Sequence, residues 1–291
     1  MNVLITGSQG QLGHCLVDLL SKCSEINVAA YNKKQLDVTN ELQVKQLLNE
    51  FKPDVIINAA AYTSVDQSES NIKTCYAINR DGPRYLAKIA KELDSLLIHI
   101  STDYVFDGEK NEPYVETDIP NPLNVYGQSK LAGEIAVMEH CSRYIIIRTS
   151  WVFGEHGNNF VKTMLHLSKN RPKINIIGDQ VGGPTYVRDI AKAIIAIIGK
   201  FSSSNLSGIY HFAGEPYVSW YQFAEVIFQT AKRYGCLSEK PTINKITTID
   251  YPLPAKRPAN SRLNCLKINT VFGINPSNWN LALQNIQAYQ S

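Results

Sequence analysis

The first 150 residues alternate between short apolar runs and longer segments with helical periodicity. The runs are rich in Val, Ile and Leu, which is typical of strands buried on both faces of a parallel sheet. Strands that alternate with helices in this way predict a doubly wound α/β fold. The strand candidates are 3–6, 26–31, the apolar part of 53–62, 96–100 and 145–148.

A glycine-rich turn follows the first strand candidate at once. Its glycines have the spacing Gly-x-x-Gly-x-x-Gly, and a segment with helical periodicity begins at Cys15. Glycine lets the backbone turn tightly and approach a pyrophosphate, which then binds at the positive N-terminus of the helix. A purely structural turn is the alternative, but the position directly after the first strand favours a Rossmann dinucleotide site. The candidate cofactor residues in this turn are Gly7, Gln9, Gly10, Gln11, Leu12 and Gly13.

The end of the second strand candidate indicates which dinucleotide is bound. An acidic residue there would bind the ribose 2'-hydroxyl of NAD, whereas basic residues would accept the 2'-phosphate of NADP. The chain has Asn32, Lys33 and Lys34 at this place. They favour NADPH, and NADH is the alternative if the two lysines only solvate a loop. Three small residues after the third strand candidate permit close approach of the cofactor: Ala59, Ala60 and Ala61.

Tyr126 and Lys130 are four residues apart, so on a helix they lie one turn apart on the same face. An ammonium group beside a phenol favours phenolate, and we expect Lys130 to lower the pKa of Tyr126 and make it a useful proton donor. Thr102 follows the fourth strand candidate, where ligand sites of doubly wound sheets lie. These three residues are the catalytic candidates. A surface-exposed Tyr-Lys pair and a loop-capping Thr are the alternatives.

Residues 151–291 have a less regular pattern and predict a second, smaller α/β domain for the substrate. Within it, 174–177 predicts a strand, and 189–198 and 219–231 predict helices. We expect part of 185–212 to return to the first domain. The predicted organisation is a dinucleotide-binding domain at 1–150 and a substrate-binding domain at 151–291.

The composition of the chain argues against several classes of function. The chain has 291 residues, 44% of them hydrophobic, and a formal net charge of +3, which is too small to indicate nucleic-acid or membrane binding. Its six cysteines lack Cys-x-x-Cys or zinc-type spacing, so we expect free thiols and no metal. The amino-terminal strand leaves no room for a signal peptide, and we expect a cytoplasmic protein.

Several motifs together carry a family resemblance. The segments 101–108, 122–134 and 148–153 resemble the dTDP-4-dehydrorhamnose reductases, a family of extended short-chain dehydrogenase/reductases. The similarity also covers the glycine turn and 58–61, 157–160, 182–185 and 257–261, so it spans nearly the whole chain. This combination of motifs is highly specific.

The resemblance implies reduction of the C4 ketone of dTDP-4-dehydro-6-deoxy-L-mannose to dTDP-L-rhamnose by NADPH or NADH. It implies that Tyr126 is the general acid, that Lys130 holds the nicotinamide ribose and that Thr102 hydrogen-bonds the carbonyl oxygen. It places Asp37 and Val38 beside the adenine. The residues implied for the nucleotide-sugar substrate are Thr102, Tyr104, Trp151, Asn159 and Arg257, the last as a diphosphate ligand.

Three points stay open in the sequence. Some family members bind magnesium at a dimer interface through a Glu after the glycine turn. This chain has Cys15 at that position, and a thiol is a poor magnesium ligand. The resemblance therefore carries over neither Mg²⁺ nor a homodimer. Asn79, in a helix expected near 74–93 that 82–83 could kink, either bonds nearby backbone or is the structural Asn that many short-chain reductases place behind the site.

Two other functions remain as alternatives. A related enzyme would reduce another nucleotide-linked 4-keto-6-deoxy sugar with the same motifs. A regulatory subunit of methionine adenosyltransferase would have the fold and the cofactor turn without the activity. The segments 148–151 and 158–160 resemble the reductases and favour an enzyme.

Overall fold

A computed structural model describes residues 1–201 and 206–290 of the chain. The strands of the described residues are β1 (Asn2–Thr6), β2 (Asn27–Tyr31), β3 (Val55–Asn58), β4 (Leu96–Thr102), β5 (Tyr144–Thr149), β6 (Val152–Phe153), β7 (Lys173–Ile177), β8 (Val181–Gly182), β9 (Thr185–Tyr186), β10 (Gly208–His211), β11 (Gly214–Glu215), β12 (Val218–Ser219), β13 (Thr242–Ile246), β14 (Asn260–Ser261) and β15 (Ser277–Asn278).

The α-helices are α1 (Gln11–Leu20), α2 (Glu41–Phe51), α3 (Val65–Ser68), α4 (Ile72–Tyr76), α5 (Gly82–Glu92), α6 (Val125–His140), α7 (Phe160–Asn170), α8 (Val187–Lys200), α9 (Trp220–Arg233), α10 (Leu266–Phe272) and α11 (Trp279–Leu283). Shorter helical turns are 3-10 helices at Asp103–Val105, Thr248–Asp250 and Ile286–Tyr289 and a π-helix at Ala77–Asp81. Throughout the described residues, we find no helix that is both long and apolar enough to cross a membrane.

Six parallel strands form the central sheet in the order β10-β5-β4-β3-β1-β2. The predicted doubly wound parallel sheet is therefore confirmed. The order of the strands reverses at β1, because β2 lies on one side of it and β3 on the other. A crevice for a ligand opens at such a switch point, outside the carboxyl ends of the strands.

Both faces of the sheet are covered by helices, which explains the apolar runs of the sequence. Along β1, Val3 and Ile5 belong to one core cluster and Leu4 to the opposite one. The first cluster lies under α1 and α8, and the second lies under α2, α5 and α6. Side chains alternate between the faces of a strand, so a strand covered on both sides needs apolar residues at every position.

The second half of the chain divides its elements between two cores. Helices α7, α9 and α11 surround a separate apolar cluster that includes Phe153, Phe223 and Trp279. Strand β10 instead belongs to the large sheet, where it pairs with β5. Helix α8 packs on the same sheet, since its Ile194 lies in one core cluster with residues of α1. The chain thus crosses between the two units more than once.

The helix expected near 74–93 is present as one continuous run with a π-helical turn at Ala77–Asp81. Pro83 has no N–H group to donate to the carbonyl group of Asn79, and a wider turn before it accommodates this loss. The carbonyl oxygen of Asn79 also faces Gly133 of α6 so closely that a Cβ at Gly133 would overlap it. The irregular turn thereby brings Asn79 against the helix that carries Tyr126.

Candidate active site

The glycine turn between β1 and α1 has the shape of a phosphate cradle. Gly7 has a left-handed φ of +67°, and a Cβ on it would lie 2.7 Å from the backbone nitrogen of Ala60. Gly10 caps α1 without a side-chain hydrogen bond to the helix. The first N–H groups of α1 are therefore free to bind an anion, and the turn fits the pyrophosphate of a dinucleotide.

The other predicted residues of this turn differ in what they offer a cofactor. Gln9 and Gly10 are exposed, whereas the side chain of Leu12 lies in the core and leaves only its backbone for a ligand. Gln11 reaches the second unit: its Oε1 accepts a hydrogen bond of 3.1 Å from Asn159, and its Nε2 donates to the carbonyl oxygen of Asn158 at 3.4 Å. Gln11 thus links the glycine turn to the loop before α7.

The end of β2, at 31–34, carries no acidic side chain. Asn32 uses its Oδ1 to accept the backbone N–H groups of Lys34 and Gln35, so its side chain shapes the loop, and Lys33 beside it is exposed. Further along the chain, the carboxylate of Asp37 accepts hydrogen bonds from Thr39, and Val38 packs against Gly82. Lys33 is the group here that could meet a 2'-phosphate.

The three catalytic candidates come together at the carboxyl end of β4. Thr102 ends that strand, and α6 begins at Val125 with Asn124 as its N-cap, so Tyr126 lies in the first turn of the helix. The rings of Tyr104 and Tyr126 meet edge to face with their centroids 5.7 Å apart. A Cβ at Gly127 would overlap the carbonyl oxygen of Tyr104. Only glycine lets α6 approach this closely.

The expectation that Lys130 lowers the pKa of Tyr126 is wrong for this structure. Burial raises the pKa of Tyr126 far above its usual value, and the nearby group that lowers it is the hydroxyl of Thr102. Lys130 is itself buried, which lowers its pKa to about 8, and its Nζ donates a hydrogen bond of 2.5 Å to the carbonyl oxygen of Ile100. Tyr126 is consequently a protonated phenol at neutral pH.

Thr102 has partners besides the phenol of Tyr126. Its Oγ1 donates to Oδ1 of Asp103 at 2.9 Å and accepts the backbone N–H of Tyr104 at 3.2 Å. Asp103 is 3% exposed, and burial raises its pKa to about 6. Among the described residues its Oδ2 has no hydrogen-bond partner, although Ser261 lies near enough to lower that pKa. No pattern in the sequence indicates a role for this carboxyl group.

Asn79 contacts the helix that carries Tyr126 and Lys130, which favours its interpretation as a structural Asn behind the candidate site. Its side chain binds both backbone groups of Tyr62, at 2.8 and 3.1 Å, and donates to the hydroxyl of Ser129 at 3.0 Å. Ser129 in turn donates to the carbonyl oxygen of Tyr126. Asn79 therefore ties α6 to the loop after β3 and does not serve only its own helix.

The predicted substrate residues fall into two groups. Arg257 makes two hydrogen bonds to Asp66, at 3.0 and 2.8 Å, and lies beside Tyr104. Burial lowers the pKa of its guanidinium group, but Asp66 first and then Tyr104 raise it above its usual value. Asn159 forms the second group, since it is the N-cap of α7. It donates both of its amide hydrogens within the protein, to the side chain of Gln11 and to the carbonyl oxygen of Gly154.

Trp151 has an unusual backbone and a well-defined partner. Its φ of +48° is left-handed, which costs a non-glycine residue roughly 1–2 kcal/mol. Its ring stacks on Trp220 with the centroids 3.4 Å apart and lies over Gly182, where a Cβ would be 2.6 Å from the indole. Trp220 was missed by the sequence analysis, because nothing near it in the chain indicates a partner 69 residues earlier.

Cys15 faces the core beneath α1. Burial raises the pKa of its thiol to about 11, so it is neutral and unsuited to bind a divalent cation. In residues 1–201 and 206–290, no three His, Cys, Asp or Glu side chains are grouped so as to hold a metal ion.

Comparison with known proteins finds similarity over the whole chain. The family described as the RmlD substrate binding domain matches residues 1–290. The chain is 52% identical to the dTDP-4-dehydrorhamnose reductase of Aggregatibacter actinomycetemcomitans, over 99% of this chain and 98% of that protein.

Solved structures give the same result. The dTDP-4-dehydrorhamnose reductase of Clostridium acetobutylicum matches with a TM-score of 0.92 at 38% identity, over 99% of this chain and 98% of that one. The Bacillus anthracis dTDP-4-dehydrorhamnose reductase, solved in complex with NADP, matches with a TM-score of 0.91 at 39% identity, over 98% of each chain.

Proposed function

The chain belongs to the dTDP-4-dehydrorhamnose reductase family, and we propose that it reduces the C4 ketone of dTDP-4-dehydro-6-deoxy-L-mannose to dTDP-L-rhamnose, with Tyr126 as general acid. It is an NADP-dependent oxidoreductase of this family. The observation that carries the residue assignment is the position of Tyr126, Thr102 and Lys130 at the carboxyl edge of the sheet, where the crevice opens. The relatives do not favour another keto sugar or a regulatory subunit.

The cofactor would be held by the glycine turn and the end of β2. The backbone N–H groups at the start of α1 bind the pyrophosphate, and the small side chains of Ala59, Ala60 and Ala61 permit close approach of the cofactor. Lys33 meets the 2'-phosphate, which makes NADPH the preferred form. The Bacillus anthracis relative was solved in complex with NADP, which supports this assignment. When bound, this cofactor supplies the hydride.

Tyr126 supplies the proton. As a hydride reaches the carbonyl carbon, negative charge develops on the oxygen and must be neutralised. A phenol whose pKa is raised by burial keeps its proton until such a strong base forms beside it. Lys130, one turn further along α6, binds the nicotinamide ribose through its ammonium group, which is a donor of hydrogen bonds.

Thr102 has one hydroxyl proton, and Asp103 holds it in this structure. Rotation about the Cβ–Oγ1 bond of Thr102 would turn that proton to the ketone oxygen as a second donor. Thr102 therefore assists Tyr126 at the cost of its bond to Asp103.

The nucleotide sugar would lie between the two units. Arg257, beside Tyr104, binds the diphosphate, since a guanidinium group presents paired donors to phosphate oxygens. Asp66 holds the same guanidinium group and sets its direction. Trp151, fixed by its stack on Trp220, offers an aromatic face to the sugar. Asn159 would contribute by joining the units through Gln11.

We place the reaction in the cytoplasm, because the six cysteines are free thiols in the structure. The test of the function is oxidation of NADPH, and separately of NADH, with the keto sugar generated in situ by the preceding epimerase. We expect oxidation that requires the epimerase, faster with NADPH, and dTDP-L-rhamnose as the product by NMR. A folded, NADPH-binding protein that leaves this substrate unreduced would contradict the proposal.

A further inference from the structure

A buried ion pair lies behind the proposed site and has no part in the mechanism above. Arg148, near the end of β5, donates from Nε and Nη2 to the two carboxylate oxygens of Glu134 at 2.9 and 2.7 Å. Ser101 donates to the same carboxylate at 2.5 Å. The side chains of Arg148 and Glu134 are 2% and 0% exposed. Burying both charges is costly unless they are paired. This geometry pairs them through two nitrogens of Arg148, while its Nη1 has no hydrogen-bond partner among the described residues.

This network reaches both elements that carry the catalytic candidates. Ser101 directly precedes Thr102 on β4. Glu134 lies on α6 four residues after Lys130, so the two side chains share one face of the helix. Lys130 itself is 2% exposed and donates to the carbonyl oxygen of Ile100, the residue before Ser101. Among three consecutive residues of β4, Ile100 thus contacts Lys130, Ser101 contacts Glu134, and Thr102 belongs to the proposed catalytic site.

The charge of Lys130 needs support in this environment. Burial lowers the pKa of Lys130 and favours its neutral amine. The negative charge of Glu134 is the strongest of the effects that raise this pKa. The other titratable groups facing it carry no charge at neutral pH. Burial keeps His99 of β4 a neutral imidazole and Cys75 of α4 a neutral thiol, by lowering the pKa of the first and raising that of the second. Tyr126, one turn before it on α6, is a neutral phenol.

We propose that Glu134 is a positioning residue that keeps Lys130 charged and holds α6 at the end of β4, with Arg148 as the partner that lets this carboxylate remain buried. The inference rests on the proposed function of Lys130 at the cofactor ribose. It gives a role to Arg148, the first residue of the 148–153 motif, without placing it in contact with a ligand.

The test is the titration of Lys130, followed with and without cofactor. In the protein alone, NMR of ¹³C-labelled lysine side chains reports the Lys130 midpoint, assigned by loss of its signal in Lys130→Arg. The affinity for NADPH, measured by nucleotide fluorescence, should weaken above the same pH. We expect a midpoint of about 8 in the wild type. In Glu134→Gln we expect it lower by roughly one pH unit or more, with the loss of affinity shifting equally.

Two controls separate this effect from damage to the fold. Glu134→Gln leaves Arg148 buried without a partner, so the double variant with Arg148→Gln removes both charges, and its Lys130 midpoint should still lie below that of the wild type. Glu139→Gln, at an exposed position of the same helix, should leave the midpoint unchanged. A wild-type midpoint in either folded Glu134 variant would overturn the inference. A wild type that does not bind NADPH would overturn the proposed function instead.

Discussion

Replacement of Asp103 by asparagine should stabilise the protein at neutral pH and not at acid pH. Burial raises the pKa of this carboxyl from 3.8 to about 6. Each pKa unit is worth about 1.4 kcal/mol, so ionisation of Asp103 costs the folded state up to about 3 kcal/mol. The cost is absent below pH 3.8, grows as the pH rises towards 6, and is complete above it. An asparagine cannot ionise and avoids it, and it still accepts the hydrogen bond from Thr102.

The assay is urea unfolding, followed by tryptophan fluorescence, at a series of pH values from 4 to 8. Any constant offset from the substitution is present at every pH, so the informative quantity is the change in the stability difference with pH. Because a small part of the cost is already present at pH 4, we expect Asp103→Asn to gain about 2.5 kcal/mol on the wild type from pH 4 to pH 8. The pKa of Asp107 is lowered by hydrogen bonds, first that from the backbone of Glu109, so its contribution to stability is nearly complete by pH 4, and Asp107→Asn should show little change in the stability difference from pH 4 to pH 8.

Two results would refute this reasoning. A stability difference for Asp103→Asn that is the same at pH 4 and pH 8 would show that the carboxyl pays no ionisation penalty. Infrared difference spectra supply an independent check, since a carboxylic acid band should titrate near pH 6 in the wild type and be missing in the variant. A band that titrates near the usual value of 3.8 would place Asp103 in contact with water.

Two further substitutions test the geometry of the site. Gly127→Ala forces a Cβ into the carbonyl oxygen of Tyr104, and we expect it to displace Tyr126 and reduce turnover by roughly a hundredfold or more; Gly199→Ala, which meets nothing within 4 Å, should retain full activity in the same assay. Arg257→Met removes the proposed diphosphate ligand, so the KM for the nucleotide sugar should rise at least about tenfold while the Kd for NADPH, measured by fluorescence, stays unchanged. An unchanged KM would exclude a diphosphate at Arg257.

The parts of the site that could be predicted are those set by local pattern. Apolar runs identified five of the six strands of the large sheet and missed β10. The carboxyl ends of parallel strands meet at one edge, so the end of β4 and the helix with Tyr126 and Lys130 were expected together. The glycine turn was recognisable because its spacing is contained within seven residues, Gly7 to Gly13.

The parts that could not be predicted depend on contacts between distant residues. Arg257 and Asp66 are 191 positions apart, and neither has a local signal for the other. Asn159 looked free to meet a substrate because its use as a helix cap and as a donor to Gln11 appears only in the fold. The pKa of Tyr126 was misjudged because the argument from helix spacing included Lys130 and omitted burial, which dominates.

Replacement of Tyr126 by phenylalanine tests the central claim most directly, because it removes the phenolic oxygen and almost nothing else. NADPH oxidation with the epimerase-generated keto sugar and NADPH binding by fluorescence should be measured on the same preparations. We predict that turnover falls by about a hundredfold or more while the Kd for NADPH changes little. Tyr251→Phe, at a position that is 55% exposed, should behave as the wild type. Turnover in Tyr126→Phe equal to that of the wild type would contradict the account.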